Sequence, residues 1–493
     1  MQYMIGIDIG TTNTKAIAFS TGGQVLGVAD ASYTAFSDQP GWHELDPDQL
    51  LRAVITALKE LGERVDYGRG ICGISFSCAM HSLIAVDAGG RPLTRAMTWA
   101  DLRSQSYATA LKGSEAGKRI YRQTGTPIYA MSPLCKLLWL KDNSPAIFQA
   151  AARFVGIKEY IWHRLFGNYE IDHSIASATG LFDIYGFDWY PESLELAGIS
   201  ADRLSRPVPS THKAFALLPE WGPLLGLPPS LPFIIGGSDG CLANLGSQAV
   251  RPGETALTIG TSGAVRMTTT RPEHDPKERI FNYILSERLY VSGGATNNGG
   301  GVLQWYIENF LGRGADGPKD LALMLEGTAG VAPGCEGLVF LPYLQGERAP
   351  LWDAQAKGVF FGIRSVHEQR HFMRAVLEGI SFSLFQVGVS LEETIGPISC
   401  IYASGGFIRS KTWLQLVADI FNKKVCVTGP ADASAVGAAI MGMYALQLIG
   451  GLEEAGKMIH VVETYVPDED RHRIYRQRFS VFTSLYERLK GLE

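Results

Sequence analysis

Paired cysteines are missing from this chain. Its seven cysteines, Cys72, Cys78, Cys135, Cys241, Cys335, Cys400 and Cys426, are odd in number, scattered, and form no C-x-x-C. That pattern excludes a disulfide framework and fits reduced thiols in a cytoplasmic protein. An excess of positive charge is missing too. Lys and Arg number 44 against 49 Asp and Glu, for a net charge of -5, so no nucleic-acid face is expected. The N-terminus, Met1 to Asp8, has no basic stretch and meets an aspartate too early for a signal peptide. The most apolar stretch, Ala433–Gly451, falls short of a membrane span and carries Ser434 and Gln447, which predicts a buried core helix and no membrane partner. No G-x-x-x-x-G-K-[ST] occurs, which argues against the P-loop class.

Glycine, by contrast, is abundant, at 56 residues gathered into short motifs. Such motifs suit tight turns and close backbone approach to a ligand. The chain of 493 residues exceeds the roughly 250–300 at which single cores stop growing, so two domains are expected, 1–250 and 251–493. The hinge is expected near Val250-Arg251-Pro252-Gly253.

Apolar runs and turn signals predict strands over Tyr3–Ile9, Lys15–Ser20, Val25–Tyr33 and Gly70–Ser77. Leu50, Leu51, Val54, Leu58 and Leu61 recur at helical spacing over Asp48–Val65. Strands and helices go on alternating, which predicts an α/β protein with a mixed sheet. The opening then repeats. Ile259-Gly260-Thr261-Ser262 falls on Ile9-Gly10-Thr11-Thr12, again strand, Gly-hydroxyl-hydroxyl turn, strand. A duplicated start implies two domains of one fold facing each other across a cleft.

Four glycine motifs could carry chemistry. In Asp8-Ile9-Gly10-Thr11-Thr12 a carboxylate ends a strand beside a turn rich in N–H and O–H donors, which suits phosphates and Mg²⁺. A ligand-free Asx hairpin has the same pattern. The second copy has Thr258 in place of Asp8 and so brings donors alone. Gly236-Gly237-Ser238-Asp239-Gly240 ends an apolar strand and opens a helix, the place where open α/β sheets put ligands and where plain aspartate caps also lie. Asn297–Gly301 and Ala403–Phe407 are strand-Gly-Gly-helix junctions able to lie flat against a nucleotide or to serve as tight turns. His81 stands alone, with no Cys/His cluster near it in sequence.

Taken together these segments resemble the FGGY carbohydrate kinases, relatives of actin, Hsp70 and hexokinase. The resemblance covers essentially the whole chain. It rests on Gly6–Lys15, Met131–Asn143, Tyr343–Pro350 and Gly358–Gly379. It implies two ribonuclease-H-like domains around a central cleft. The first would bear the sugar side, the first phosphate loop and the catalytic aspartate; the second would bear the ATP side.

The resemblance also implies roles. Asp239 becomes the general base and Asp8 the support for Mg²⁺. Thr11, Thr12, Gly260 and Thr261 approach the phosphates of ATP. Gly300, Gln304, Gly405, Gly406 and Ser410 lie near the nucleotide, although Ser410 departs from an asparagine common among relatives. Met80, His81, Asp101 and Arg103 face the substrate. Dimers occur in the family, so a homodimer is possible. Ser77–Asp87, Thr98–Ser104, Thr124–Pro133 and Gly156–Tyr160 look more like the gluconate-phosphorylating branch than the xylulose branch, which implies D-gluconate as acceptor. A sugar acid needs a cation for its carboxylate. Arg103, Lys136, Lys158 and Arg348 are the candidates, Arg103 first because Asp101 can bind hydroxyls from the same loop. Xylulose or another pentulose or polyol is the alternative acceptor. A nucleotide-gated binding protein on the same actin-like fold is the alternative class.

Overall fold

The computed structural model describes residues 1–311, 324–429 and 432–492. Its first sheet opens with β1 (Tyr3–Ile9), β2 (Asn13–Ser20) and β3 (Val25–Ser32), an antiparallel meander. β1 is apolar and almost wholly buried, as a central strand covered on both faces must be. Helix α1 (Pro47–Gly62) covers β2 and β3 with Leu50, Leu51, Val54, Leu58 and Leu61. Proline opens it, and the Asp46 carboxylate accepts from the Asp48 and Gln49 N–H groups. β4 (Ile71–Cys78) then runs parallel to β1, and β5 (Phe233–Ser238) parallel to β4. The strand order is β3-β2-β1-β4-β5, with Lys213–Ala214 at the far edge. Helix α2 (Asp239–Gly246) leaves the end of β5.

The second sheet repeats this plan. β6 (Glu254–Ile259) and β7 (Gly263–Thr269) form the matching hairpin, followed by β8 (Phe281–Ser286) and β9 (Leu289–Thr296). After α3 (Gly300–Phe310) and the long α4 (Gln369–Thr394), β10 (Cys400–Gly405) pairs parallel to β6. Then come α5 (Lys411–Phe421), β11 (Val425–Gly429), α6 (Ala433–Ala445), β12 (His460–Tyr465) and α7 (Glu469–Leu489). The order is β8-β9-β7-β6-β10-β11-β12. Helix α4 is long and apolar enough to cross a membrane by composition, but it is mostly buried inside the protein. It carries Phe382, Leu384, Phe385 and Val387 into the core beneath the second sheet.

The expected division near residue 250 separates the two sheets, since α2 ends at Gly246 and β6 begins at Glu254. It does not separate their cores. Helix α6, from the far end of the sequence, lies across β1 and β4 of the first sheet and against α2. Met4, Ile17, Leu242, Tyr283, Ala439 and Ile440 share one apolar cluster. The two helices touch backbone to backbone: a Cβ on Gly437 would stand 1.9 Å from the Leu242 carbonyl oxygen. Only glycine permits that approach, and the seam joins the two halves.

Candidate active site

The duplicated hairpins meet across a cleft. In the first, Asp8 lies opposite Ser77 of β4, whose hydroxyl donates to Asp8 Oδ1 at 2.7 Å. In the second, Thr258 lies opposite Ser404 of β10, and their hydroxyls bond at 2.9 Å. Between the halves is a cavity of about 300 Å³. Gly10, Thr11, Met80, His81 and Asp239 line it from the first half, and Thr258, Gly260, Arg266, Tyr283 and Arg348 from the second. A second cavity of about 650 Å³ is lined by Gly260, Thr261, Gly300, Gln304, Gly406 and Ser410. Gly260 is common to both, so the turn between β6 and β7 is their shared wall.

Asp239 is not the cap of its helix. Ser238 does that work, its hydroxyl accepting from the Cys241 N–H. The Asp239 carboxylate accepts only the Gly240 N–H, at 2.6 Å, among the hydrogen bonds of described residues. Burial raises its pKa, and the Arg266 guanidinium opposes that rise. Asp8 is pushed up to about 7, by burial first and by the Asp239 charge second. Two buried carboxylates thus repel each other at one end of the cleft.

His81 sits in the left-handed region at φ 66, an uncommon place for a non-glycine residue. Its Nδ1 is 2.7 Å from the Ala178 carbonyl oxygen, which can only accept. The ring proton is therefore on Nδ1, and Nε2 accepts from the Tyr283 hydroxyl at 3.3 Å. Burial and the Lys136 charge lower its pKa to about 3, so the ring is neutral.

Around the second cavity, the Gly300 N–H donates to the Gly260 carbonyl at 2.6 Å and the Gly301 N–H to that of Thr261 at 3.0 Å. The Asn297–Gly301 loop is thereby laid onto the second hairpin. Gly405 adopts φ 95, and a Cβ there would stand 2.4 Å from the Ile259 carbonyl oxygen. Gly406 beside it has nothing within 4 Å and faces open space. The Ser410 hydroxyl accepts from the Trp413 N–H and caps α5, while Gln304 bonds Glu308. Thr12 is exposed and lines neither cavity, although its carbonyl fixes Tyr33.

The four candidate cations have different surroundings. Arg103 does not reach the cavity: it pairs with Asp101 and Glu44, each at 2.7 Å, and stacks 3.6 Å from the Trp42 ring. Asp101 is fully buried and also accepts the His43 N–H, so this pair braces the chain after Trp99 rather than lining the pocket. Lys136 donates to the carbonyls of His81, Met97 and Thr98. Lys158 pairs with Asp172 and donates to the carbonyls of Ile235 and Gly237. A compact ammonium with three donors suits such carbonyl clusters. Arg348 does line the cavity, donating to the Thr296 carbonyl at 3.0 Å with its carbon centre 4.7 Å from the Trp99 ring.

Sequence reasoning missed three residues here. Glu347, wholly buried, accepts from Thr296, Asn297, Asn298, Ser383 and the Arg348 N–H, and so ties the loop before α3 to Arg348. Tyr283 lines the acceptor cavity and holds His81. Arg266 lies on β7 among Val265, Met267 and Thr268. A lone arginine inside an otherwise apolar and threonine strand was a visible signal.

Two family models match the chain: the N-terminal domain of the FGGY family of carbohydrate kinases over residues 3–246, and the C-terminal domain over residues 255–446. The chain is 41% identical to a gluconokinase of Bacillus subtilis (strain 168), covering 99% of this chain and 96% of that protein. Two solved structures from Lactobacillus acidophilus, one described as a xylulose kinase and one as a gluconate kinase, each superpose with a TM-score of 0.94 at 33% identity, over 100% of this chain and 99% of theirs. With its duplicated sheets, facing hairpins and paired cavities, the chain belongs to the FGGY family of carbohydrate kinases.

Proposed function

We propose that the protein moves the terminal phosphoryl group of ATP onto the 6-hydroxyl of D-gluconate, giving 6-phosphogluconate and ADP. The observation that carries this reading is the shared wall. An acceptor cavity holding an uncapped carboxylate, Asp239, abuts a nucleotide-sized cavity at the Gly260 turn. Phosphoryl transfer is mostly positioning and charge stabilisation, and such a junction supplies both. The acidity of the acceptor is supported by two arginines in the same cavity, Arg266 and Arg348, and by the likeness to a gluconokinase.

In this reading Asp239 takes the proton of the 6-hydroxyl as the oxygen bonds the γ-phosphorus and the bond to ADP breaks. Burial makes its carboxylate a somewhat stronger base than an ordinary aspartate. Thr11 and Thr12 donate to phosphate oxygens from the first hairpin, and Gly260 and Thr261 from the second. Gly300, Gln304, Gly405, Gly406 and the Ser410 region hold the adenosine. Met80 and neutral His81 shape the sugar side. Asp8 fits Mg²⁺: Asp8 and Asp239 repel each other without a cation, and no described cluster of three or more His, Cys, Asp or Glu offers a full protein cage. Magnesium is commonly held by one or two carboxylates, waters and substrate phosphates. When bound, it would neutralise charge on the phosphates.

The test is a coupled ADP-release assay comparing gluconate, xylulose, ribulose, glycerol and fuculose. Gluconate is expected to give the highest kcat/KM. A clear preference for xylulose would overturn the acceptor while leaving the kinase class. ADP release at one rate with every sugar and with none would favour a nucleotide-gated binding protein instead.

A further inference from the structure

We propose that Arg266 is the residue that reads the carboxylate of the acceptor, and so sets specificity for a sugar acid over a neutral sugar. The inference rests on the aldonate reading above and names the group responsible for it. Set beside the four cations first considered for this role, Arg266 is the one whose side chain makes no hydrogen bond among the described residues, although the Nε of Arg348 is also sealed without a partner. Arg103 is held by Asp101 and Glu44, Lys158 by Asp172, Lys136 by three carbonyls, and Arg348 by the Thr296 carbonyl and the Trp99 face. The Arg266 guanidinium donates no hydrogen bond to any described residue, and its Nη1 is sealed from solvent without a partner. Burial lowers its pKa, and the Asp239 charge opposes that fall. A guanidinium nitrogen sealed from water without a partner is costly, and a bidentate carboxylate is the group that best relieves the cost.

Its place on the cavity wall fits this role. Strand alternation and the hairpin put Ser262, Ala264 and Arg266 in a row along the cavity wall. Ser262 is at the turn shared with the nucleotide side, and four residues of extended strand place Arg266 about 14 Å further on. A six-carbon acid whose 6-hydroxyl meets Asp239 can direct its carboxylate onto the Arg266 guanidinium that reaches over to α2. Arg266 also lies beside Gly240, where a Cβ would stand 3.1 Å from its Nε, so a bound acid would connect β7 of the second sheet to α2 of the first.

The test compares the wild type with Arg266→Gln and Arg266→Lys. Gluconate affinity is measured by calorimetry, and kcat and KM are measured for gluconate and for D-glucitol, which has the same terminal hydroxyl and no carboxylate. For Arg266→Gln, gluconate Kd and KM should rise roughly 10- to 150-fold, the cost of one charged hydrogen bond. The lysine variant should recover part of the affinity. An unchanged gluconate Kd would overturn the proposal. So would a fall in kcat with Kd intact, which would place Arg266 at the phosphoryl group. If wild type itself bound glucitol or xylulose better than gluconate, the aldonate reading would fail; if wild type preferred gluconate and Arg266→Gln kept that preference, only this inference would.

Discussion

The two hairpins are the same device built twice, and a difference in charge between them falls at one position of the first strand. Asp8 and Thr258 occupy equivalent places, each opposite a serine on the neighbouring parallel strand. The neutral copy is comfortable, because Thr258 and Ser404 satisfy each other. The charged copy is not, because Asp8 is buried within reach of Asp239 and its carboxyl is pushed up to about 7. The helix starts repeat the contrast. Asp239 begins α2 with its carboxylate facing the cavity, while Asp432, before α6, is paired with Lys15 of β2. Strain of this kind is concentrated where function needs it. The first half carries the two carboxylates, and the second carries a neutral turn together with the cations Arg266 and Arg348 on the cavity wall.

The comparison is broken most directly at the helix starts. Asp239→Asn should lower kcat by at least about 10², the low end for loss of a general base, with ATP affinity kept. Asp432→Asn should leave kcat within a fewfold and cost no more than about 1 kcal/mol of stability, since its ion pair with Lys15 is about a third exposed on the Asp432 side, at 35%. Steady-state kinetics on both variants decide it. Equal losses would mean that the halves share the charge chemistry.

A second test concerns what the Asp8 charge costs. Asp8 releases its proton near 3.8 when unfolded and near 7 when folded without a cation. Below the lower value both states are protonated and there is no penalty. As pH rises between the two values the unfolded chain ionises first, so folded stability falls; above about 7 the loss is constant. Asp8→Asn removes that loss and keeps an acceptor for Ser77. In metal-free buffer the variant should match wild type near pH 4 and exceed it at pH 8, by on the order of 2–4 kcal/mol. It should also lose activity. Denaturation midpoints at the two pH values are the measurement, and a gain independent of pH would show that Asp8 is not the cause.

Much of this asymmetry was legible in the sequence. The hairpin repeat, Thr258 in place of Asp8, and the strand-Gly-Asp-helix junction at Asp239 are local patterns, and local patterns survive in one dimension. The cation was not legible. Arg103 looked suited because it sits two residues from Asp101, yet that nearness is what consumes it: Asp101 takes its guanidinium, and Glu44, far back in the chain, completes the pair. Arg266 carried a weak signal, one charge in a buried strand, but only the folding of β7 against α2 shows that no partner meets it. The seam between α2 and α6 escaped for a similar reason, since helices on opposite sides of residue 250 give no sign in sequence that they touch.

The smallest expected effect is the most discriminating for the hairpins themselves. Thr258→Val keeps the shape of the side chain and removes only its hydroxyl. Ser404 then loses its partner, but the pair borders the acceptor cavity, so water can replace it. The cost should be about 0.5 kcal/mol, the low end for a neutral hydrogen bond, and the denaturation midpoint should move by no more than about 2 °C. The matching change on the other side is Ser77→Ala, which takes the hydroxyl from a carboxylate. A hydrogen bond to a charged group is worth about 1.5–3 kcal/mol, so Ser77→Ala should cost several times more at pH 8. Its excess should vanish near pH 4, where Asp8 is protonated with or without Ser77. Midpoints for the two variants at both pH values make the comparison. If Thr258→Val and Ser77→Ala cost the same at pH 8, the first hairpin carries no functional charge beyond the second, and the division of labour between the halves would have to be abandoned.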